Sequence, residues 1–197
     1  MDPDSRPAAA RQLHMLWPAN RRLDPTALRV PRGYLLREGR TDVVGAFREL
    51  MARVDLGTWD DDHLARVRET LVDRGWHVVI HQPSGKLVAT GMAQRNPIDG
   101  LYPDGYEVGW IAADPRHSGR GLGRLVTAAA LQRLLDTARM CIYLRTDDFR
   151  LAAVKTYLTL GFVPHLYMPD MHRRWAAVCN QLSWPFTPQA WPGRGDS

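Results

Sequence analysis

The chain has little cysteine, and it lacks any long hydrophobic run. Its 197 residues include 2 cysteines, Cys141 and Cys179, which is too few for the disulfide framework of a small secreted domain. No apolar stretch approaches the roughly 18 residues of a membrane span, and residues 1–10 lack the apolar core of an export signal. We therefore expect a cytoplasmic protein with free thiols and no membrane partner.

Lysine is also scarce, and the histidines form no metal-binding motif. Lys86 and Lys155 are the only lysines, so the net charge of +5 comes almost wholly from arginine. The arginines are scattered and no nucleic-acid recognition motif accompanies them, which argues against a nucleic-acid partner. A basic site for an anionic ligand would explain part of the excess. Because the 7 histidines match no zinc spacing, we expect no metal.

Length and composition are those of one globular domain. Hydrophobic residues make up 45% of the chain and charged residues 24%, which is ordinary for a protein of this class. A chain of this length buries a sizeable core. We expect a partly ordered N-terminal arm over residues 1–32, a single domain over 33–182 and a flexible, Pro- and Trp-rich tail over 183–197.

The most informative segment runs from Asp114 to Arg124 and reads DPRHSGRGLGR. It lies between an apolar, strand-like run at 106–113 and a helical pattern. A glycine-rich turn in this position binds phosphate, because successive N–H groups point at one spot and the helix dipole adds positive charge. Side chains there would hold the anion away from the backbone and resist positive φ. The alternative is a tight turn whose glycines serve packing alone.

The glycine spacing excludes two common phosphate-binding motifs. A dinucleotide fingerprint needs G-x-G-x-x-G, but Arg124 stands where its third glycine should be. A P-loop needs Lys followed by Ser or Thr, and neither follows Gly123. The segment resembles the acetyl-CoA signature of the GNAT (GCN5-related N-acetyltransferase) superfamily, x-P-x-x-R-G-x-G-[IL]-G. The matching residues are Pro115, Gly119, Gly121, Leu122 and Gly123.

A second block, at residues 140–163, resembles another GNAT signature. A strand is predicted over 140–146, and Asp147 and Asp148 are suited to cap a helix that Gly161 ends. The family pattern A-[IV]-x-x-Y-x-x-L-G-F is matched by Ala153, Val154, Tyr157, Leu160, Gly161 and Phe162. Arg150 stands where the family often has an Asn that contacts the CoA arm. Its side chain could bind phosphate or be solvated, and the sequence leaves both open.

The resemblance implies a fold and a reaction. The fold is an α/β GNAT fold: a twisted, mostly antiparallel sheet with helices on both faces and a splay between strands four and five. Members commonly carry a bulge near residues 106–113. The reaction is acyl transfer, most simply acetyl transfer, from acetyl-CoA to an amine in a ternary complex without a covalent intermediate.

The resemblance also assigns cofactor-binding residues. The backbone of Ile111, Ala112 and Ala113 would bind the pantetheine arm, and one of these N–H groups would polarise the thioester carbonyl. Ser118 departs from the family, which usually has Arg or Gln there, and Arg116 is the candidate to supply that charge instead. The full set for the pyrophosphate and CoA arm is Arg116, Ser118, Gly119, Arg120, Gly121, Leu122, Gly123, Arg124 and Arg150.

Two residues are candidates for acid–base chemistry. Glu107 lies where many family members place an acidic residue near the acceptor amine, so it is a candidate base or amine anchor. Its alternative role is that of a solvated or arginine-paired residue of the sheet. Tyr157 matches a family tyrosine that often lies beside the thioester sulfur and can protonate the departing thiolate. Its alternative role is core packing.

Residues between the first two predicted helices are candidates for the acceptor pocket. In this fold that segment commonly borders the acceptor site, which singles out Trp59, Asp60 and Asp61. The aspartates are also suited to cap the second predicted helix, at 62–73. The acceptor would be a small amine or a peptide, and a homodimer is an open assembly state. Two other functions compete: a GNAT module that binds CoA without turnover, and a different nucleotide-phosphate binder.

Overall fold

The protein is described by a computed structural model over residues 12–137 and 141–193. Within these ranges the strands are β1 Leu13–Leu16, β2 Tyr34–Glu38, β3 Leu71–His81, β4 Lys86–Arg95, β5 Tyr106–Ala113, β6 Ile142–Thr146 and β7 Val163–His165. The α-helices there are α1 Val44–Arg53, α2 Asp61–Thr70, α3 Leu122–Thr137, α4 Leu151–Leu160 and α5 Met171–Leu182. None of these helices is both long and apolar enough to span a membrane.

The strands form one sheet in the order β2-β3-β4-β5-β6-β1-β7. Every neighbouring pair is antiparallel except β5 and β6, which are parallel. The β5–β6 pairing consists of Tyr106 with Ile142 and Glu107 with Tyr143, and it stops where the two strands part. The predicted mostly antiparallel sheet is confirmed. Counted from β2, this splay lies between strands four and five, as expected.

A bulge interrupts β5 just beyond the splay. Thr90 of β4 pairs with Ala112 and Met92 pairs with Gly109, so Trp110 and Ile111 together oppose one β4 residue. Trp110 has φ of +53°, a left-handed conformation that a bulky residue adopts only where its surroundings enforce it. The bulge breaks the period-two alternation of β5 next to the splay.

Helices cover both faces of the sheet, as expected. On one face α3, α4 and α5 bury Leu131, Val154 and Trp175 against β1, β5 and β6. On the other face α1 and α2 bury Phe47 and Val67, among others, against β3 and β4. The apolar residues Leu125 and Val126 of α3 and Val154 and Leu158 of α4 are buried.

Strand β1 was not expected from the sequence. Leu13–Leu16 lies between β6 and β7, antiparallel to both, and all four of its residues are buried. Arg21, five residues after β1, also contacts the domain: its Nη1 donates to the Gly161 carbonyl at 2.5 Å. A short strand that is buried at every position shows no alternation of apolar and polar residues, and both partner strands lie far along the chain. Residues 1–11 of the predicted arm are outside the described ranges.

The C-terminal segment after α5 also packs on the domain as far as it is described. Trp191 lies edge-on to Phe186 and to Trp175, with centroids 5.3 and 6.1 Å apart. The Leu166 N–H donates to the Pro192 carbonyl at 2.9 Å. Residues 194–197 lie outside the described ranges, and the three-part division of the chain stays a prediction.

Two local predictions were wrong. The second helix ends at Thr70, not at residue 73, because Leu71 already pairs with Gln94 as the start of β3. Asp147 and Asp148 do not cap α4, whose N-cap residue is Arg150 with no side-chain cap bond. These aspartates form ion pairs with arginines instead.

Candidate functional site

A cavity of about 720 Å³ lies where β5 and β6 part. Its volume is within the usual range of small-molecule sites, about 300–1,000 Å³. The walls come from α2, β4, β5, β6 and the start of α4. Four of the residues predicted to bind the cofactor or to act in catalysis meet in this lining: Glu107, Ile111, Arg150 and Tyr157.

Glu107 lies at the vertex of the splay and is buried. Arg145 binds it through two parallel contacts, Nε to Oε1 and Nη2 to Oε2, each 2.9 Å long. Asn96 Nδ2 also donates to Oε2, at 2.5 Å. Both carboxylate oxygens therefore already accept protein hydrogen bonds, and any substrate proton must compete with these donors.

Tyr157 projects from α4 into the same cavity. Its ring is buried and lies edge-on to Phe162, with centroids 6.3 Å apart. Burial raises the pKa of its phenol, and the charge of Arg150 only partly opposes that shift. The hydroxyl is therefore protonated at neutral pH and can donate a hydrogen bond.

The glycine-rich turn has the backbone geometry that an anion site requires. Gly119 and Gly121 both have φ of +72°, a conformation that disfavours any other residue. A Cβ atom on either glycine would point into open space. α3 begins directly after Gly121, whose carbonyl accepts from the Leu125 N–H at 2.9 Å. The first-turn N–H groups of α3 thus lie next to an open, glycine-lined approach.

Some of the arginine side chains around this turn form ion pairs, and others do not. Arg116 binds Asp114 at 2.6 Å, and Arg53 binds the same carboxylate at 3.1 Å. The hydrogen bond from Arg116 is the main reason why the pKa of Asp114 falls to about 2. Arg120 and Arg124 form no ion pair within the described ranges, so they, rather than Arg116, are available to a bound anion.

Beyond Glu107, β6 does not pair with the backbone of β5 on the side of the splay. The Asp114 N–H donates to the Val88 carbonyl at 2.8 Å. Since backbone groups alternate sides along a strand, those of Ala113 face away from β4 and those of Ala112 face it. Ile111 belongs to the bulge and lines the cavity. Ile111 and Ala113 are therefore the better placed of the three predicted backbone contacts.

The residues predicted for the acceptor pocket lie outside the cavity lining. Trp59 is buried and packs edge-on against Phe47 and Trp110, at 4.7 and 4.6 Å. Asp60 caps α2 by accepting from the His63 N–H at 2.7 Å, which was its alternative role. Asp61 pairs with Arg48 at 2.5 Å.

The polar residues that α2 does contribute to the cavity are His63, Arg66 and Thr70. Sequence reasoning missed these three residues, together with Gln94, Asn96 and Arg145. One usable signal was the presence of opposite charges, Glu107 and Arg145, inside two otherwise apolar strands. Buried charges need a partner, so that pattern could have suggested the pair.

Among the described residues, no three or more His, Cys, Asp or Glu side chains are placed to hold a metal ion. The expectation that the protein uses no metal stays a prediction.

The chain matches known proteins over most of this region. Residues 44–162 match the family model described as the acetyltransferase (GNAT) family. A mycothiol acetyltransferase of Nocardia farcinica is 31% identical over 140 residues, which are 58% of this chain and 46% of that protein. The chain thus spans about half the length of this curated relative.

Solved structures share the fold at low sequence identity. A GCN5-related N-acetyltransferase of Sphaerobacter thermophilus aligns with a TM-score of 0.60 and 16% identity, over 78% of this chain and 48% of that one. Arabidopsis thaliana Naa50, solved with the bisubstrate analogue CoA-Ac-MVNAL, aligns with a TM-score of 0.53 and 14% identity. That alignment covers 66% of this chain and 82% of the other.

Proposed function

We propose that this chain, which belongs to the acetyltransferase (GNAT) family, transfers an acetyl group from acetyl-CoA to the amine of a small molecule or peptide. The observation that carries the proposal is the arrangement of the cavity and the glycine turn at opposite ends of β5. Along the chain, β5 leads from Glu107 and Ile111 in the lining of the cavity, which also holds Tyr157, directly to the glycine turn at the start of α3.

The donor would bind along β5. The pyrophosphate would accept hydrogen bonds from the N–H groups around Gly119 and Gly121, with Arg120 and Arg124 adding positive charge. The pantetheine arm would lie against β5 on the side that Ala113 presents. The thioester carbonyl would lie at the bulge, where a fixed backbone N–H stabilises the negative charge that develops on its oxygen.

The chemistry is a direct attack by the amine on the thioester carbon. The amine attacks in its neutral form, a C–N bond forms, the C–S bond breaks, and the thiolate leaves with the electron pair. The nitrogen loses one proton to solvent as the amide forms. We propose Tyr157 as the donor that protonates this thiolate and then recovers a proton from solvent. Glu107 is proposed as an anchor of the cavity wall rather than the base, since Arg145 and Asn96 already occupy its oxygens.

The test is an assay of free CoA release from acetyl-CoA across a panel of amines and peptides. Release that depends on the amine, and a matching gain of one acetyl group by mass, support the proposal. Stabilisation by CoA without release for any amine would favour a binding module without turnover. Thermal stabilisation by ATP or NAD but not by acetyl-CoA would refute CoA binding. Cytoplasmic location and homodimer formation stay predictions.

A further inference from the structure

A hydrogen bond between Thr70 and Gln94 fixes the orientation of a buried amide on the cavity wall. Thr70 Oγ1 donates its single proton to the Val67 carbonyl at 2.7 Å. The same oxygen can then only accept from Gln94, whose Nε2 lies 2.6 Å away. Gln94 is 4% exposed and lines the cavity. Because its nitrogen faces Thr70, its oxygen Oε1 is directed the other way as a hydrogen-bond acceptor.

Gln94 Oε1 and the Glu107 carboxyl group border the same space above Gly109. A Cβ atom on Gly109 would lie 2.6 Å from Gln94 Oε1 and 3.7 Å from Glu107 Cδ. The absence of a side chain at Gly109 lets the Gln94 amide oxygen pack directly over the Gly109 backbone. Gln94 and Gly109 both line the cavity, so a nitrogen that enters the cavity beside Gly109 meets Gln94 Oε1 as an acceptor for its N–H, next to the bulge where the thioester carbonyl is proposed to bind.

Arg66 gives this part of the cavity an uncompensated positive charge. The two carboxylates of the lining are already paired, Glu107 with Arg145 at 2.9 Å and Asp147 with Arg150 at 3.0 Å. Arg66 also lines the cavity, and it has no ion-pair partner among residues 12–137 and 141–193. It lies four residues before Thr70 on the same face of α2, so the two are about 6 Å apart along the helix axis.

We propose that the acceptor carries a carboxylate as well as its reactive amine. Gln94 Oε1 accepts an N–H of the amine, and the Arg66 guanidinium binds the carboxylate through its planar pair of donors. This assignment rests on the proposed function, because it takes the cavity to be the acceptor site. It favours ω-amino acids, whose amine and carboxylate are separated by several bonds, over simple or cationic amines.

The experiment measures binding without turnover. Isothermal titration with CoA-saturated protein compares 4-aminobutanoate with 4-aminobutanamide, and 6-aminohexanoate with 6-aminohexanamide. We expect at least one acid to bind about tenfold more tightly than its amide, the effect of one charge-assisted contact. Arg66→Gln should abolish this ratio. Arg68→Gln removes the same charge from the same helix outside the cavity lining and should preserve the ratio.

Gln94→Met separates the amine contact from the carboxylate contact. It should weaken the acid and the amide alike, by about tenfold, and leave their ratio intact, with folding checked by circular dichroism. Equal binding of acid and amide by the unsubstituted protein overturns the proposal, as does an equal loss of the ratio in Arg68→Gln.

Turnover is scored separately as CoA release, so the two proposals can fail independently. CoA release together with equal binding of the acid and the amide would overturn the proposed carboxylate contact and leave the proposed acetyl transfer standing. Discrimination in binding without release for any amine would support the acceptor site and contradict the proposed transfer.

Discussion

Replacing Glu107 by Gln tests whether this residue holds the cavity wall or removes a proton from the amine. The side chain of Glu107 is 7% exposed and that of Arg145 is 35% exposed. Breaking a buried ion pair by removing one partner costs about 3–5 kcal/mol. Because water can reach Arg145, we expect a smaller loss in the free energy of unfolding, about 2–3 kcal/mol.

The loss is measured by urea denaturation at neutral pH. In a chain of this size it corresponds to a fall in Tm of roughly 5–10 °C. Asp61→Asn is the matched control, since it breaks an arginine pair whose carboxylate is 94% exposed. That change should cost less than about 0.5 kcal/mol. Glu107→Gln combined with Arg145→Met should cost less than the sum of the single changes, because the two residues share one interaction.

The pH dependence of kcat/KM distinguishes the two roles. If Glu107 is an anchor, Glu107→Gln lowers kcat/KM by a similar factor at every pH and keeps the shape of the profile. If Glu107 is the general base, the variant loses the acidic limb of the profile. Unchanged stability together with loss of that limb would refute the anchor role.

Three further predictions concern the donor site and its support. Gly121→Ala should cost about 1–2 kcal/mol of stability because Gly121 has positive φ, and it should weaken CoA binding measured by calorimetry. Gly123→Ala is the control, since Gly123 lacks positive φ, and it should not be destabilising. Equal losses of stability in both variants would contradict the backbone argument. Tyr157→Phe should lower kcat about 100-fold while the Kd for acetyl-CoA is unchanged; unchanged kcat would leave Tyr157 as a packing residue. Because the folded pKa of Asp114 is about 2 and the unfolded value is about 3.9, its ionised form stabilises the fold fully above about pH 4 and loses this effect as pH falls towards 2. The stability difference between the unsubstituted protein and Asp114→Asn should therefore shrink across that window in urea titrations, and a constant difference would exclude this linkage.

Much of the fold was predictable because its signals are local. The glycine turn and α3 follow one another directly, and positive φ at Gly119 and Gly121 is a property of the residue type. The end of α4 at Gly161, also at positive φ, follows from the same preference. The bounds of β5 were predictable as well, since its apolar, strand-like run is contained within eight residues.

The candidate site was only partly predictable, because its groups meet through contacts between distant segments. Glu107 and Tyr157 were identified by resemblance. An arginine partner for Glu107 was one of its alternatives, but the sequence did not indicate which arginine would bind the carboxylate, or that Asn96 would bind it too. The predicted acceptor residues lie in the loop before α2 and at the start of this helix, outside the cavity lining. Which face of α2 lines the cavity depends on how the helix packs on the sheet, and this packing placed Arg66 and Thr70 there.

The sequence by itself thus determined the family, the strand–turn–helix that fits a phosphate, and the chemical types available for acyl transfer. Tertiary structure decided that Leu13–Leu16 completes the sheet, that Glu107 is held by Arg145, and that Gln94 turns its oxygen towards Gly109. The physical reason is the range of the interactions. Turn and helix preferences act over a few residues, whereas ion pairing and amide orientation depend on groups that only the packed sheet brings together.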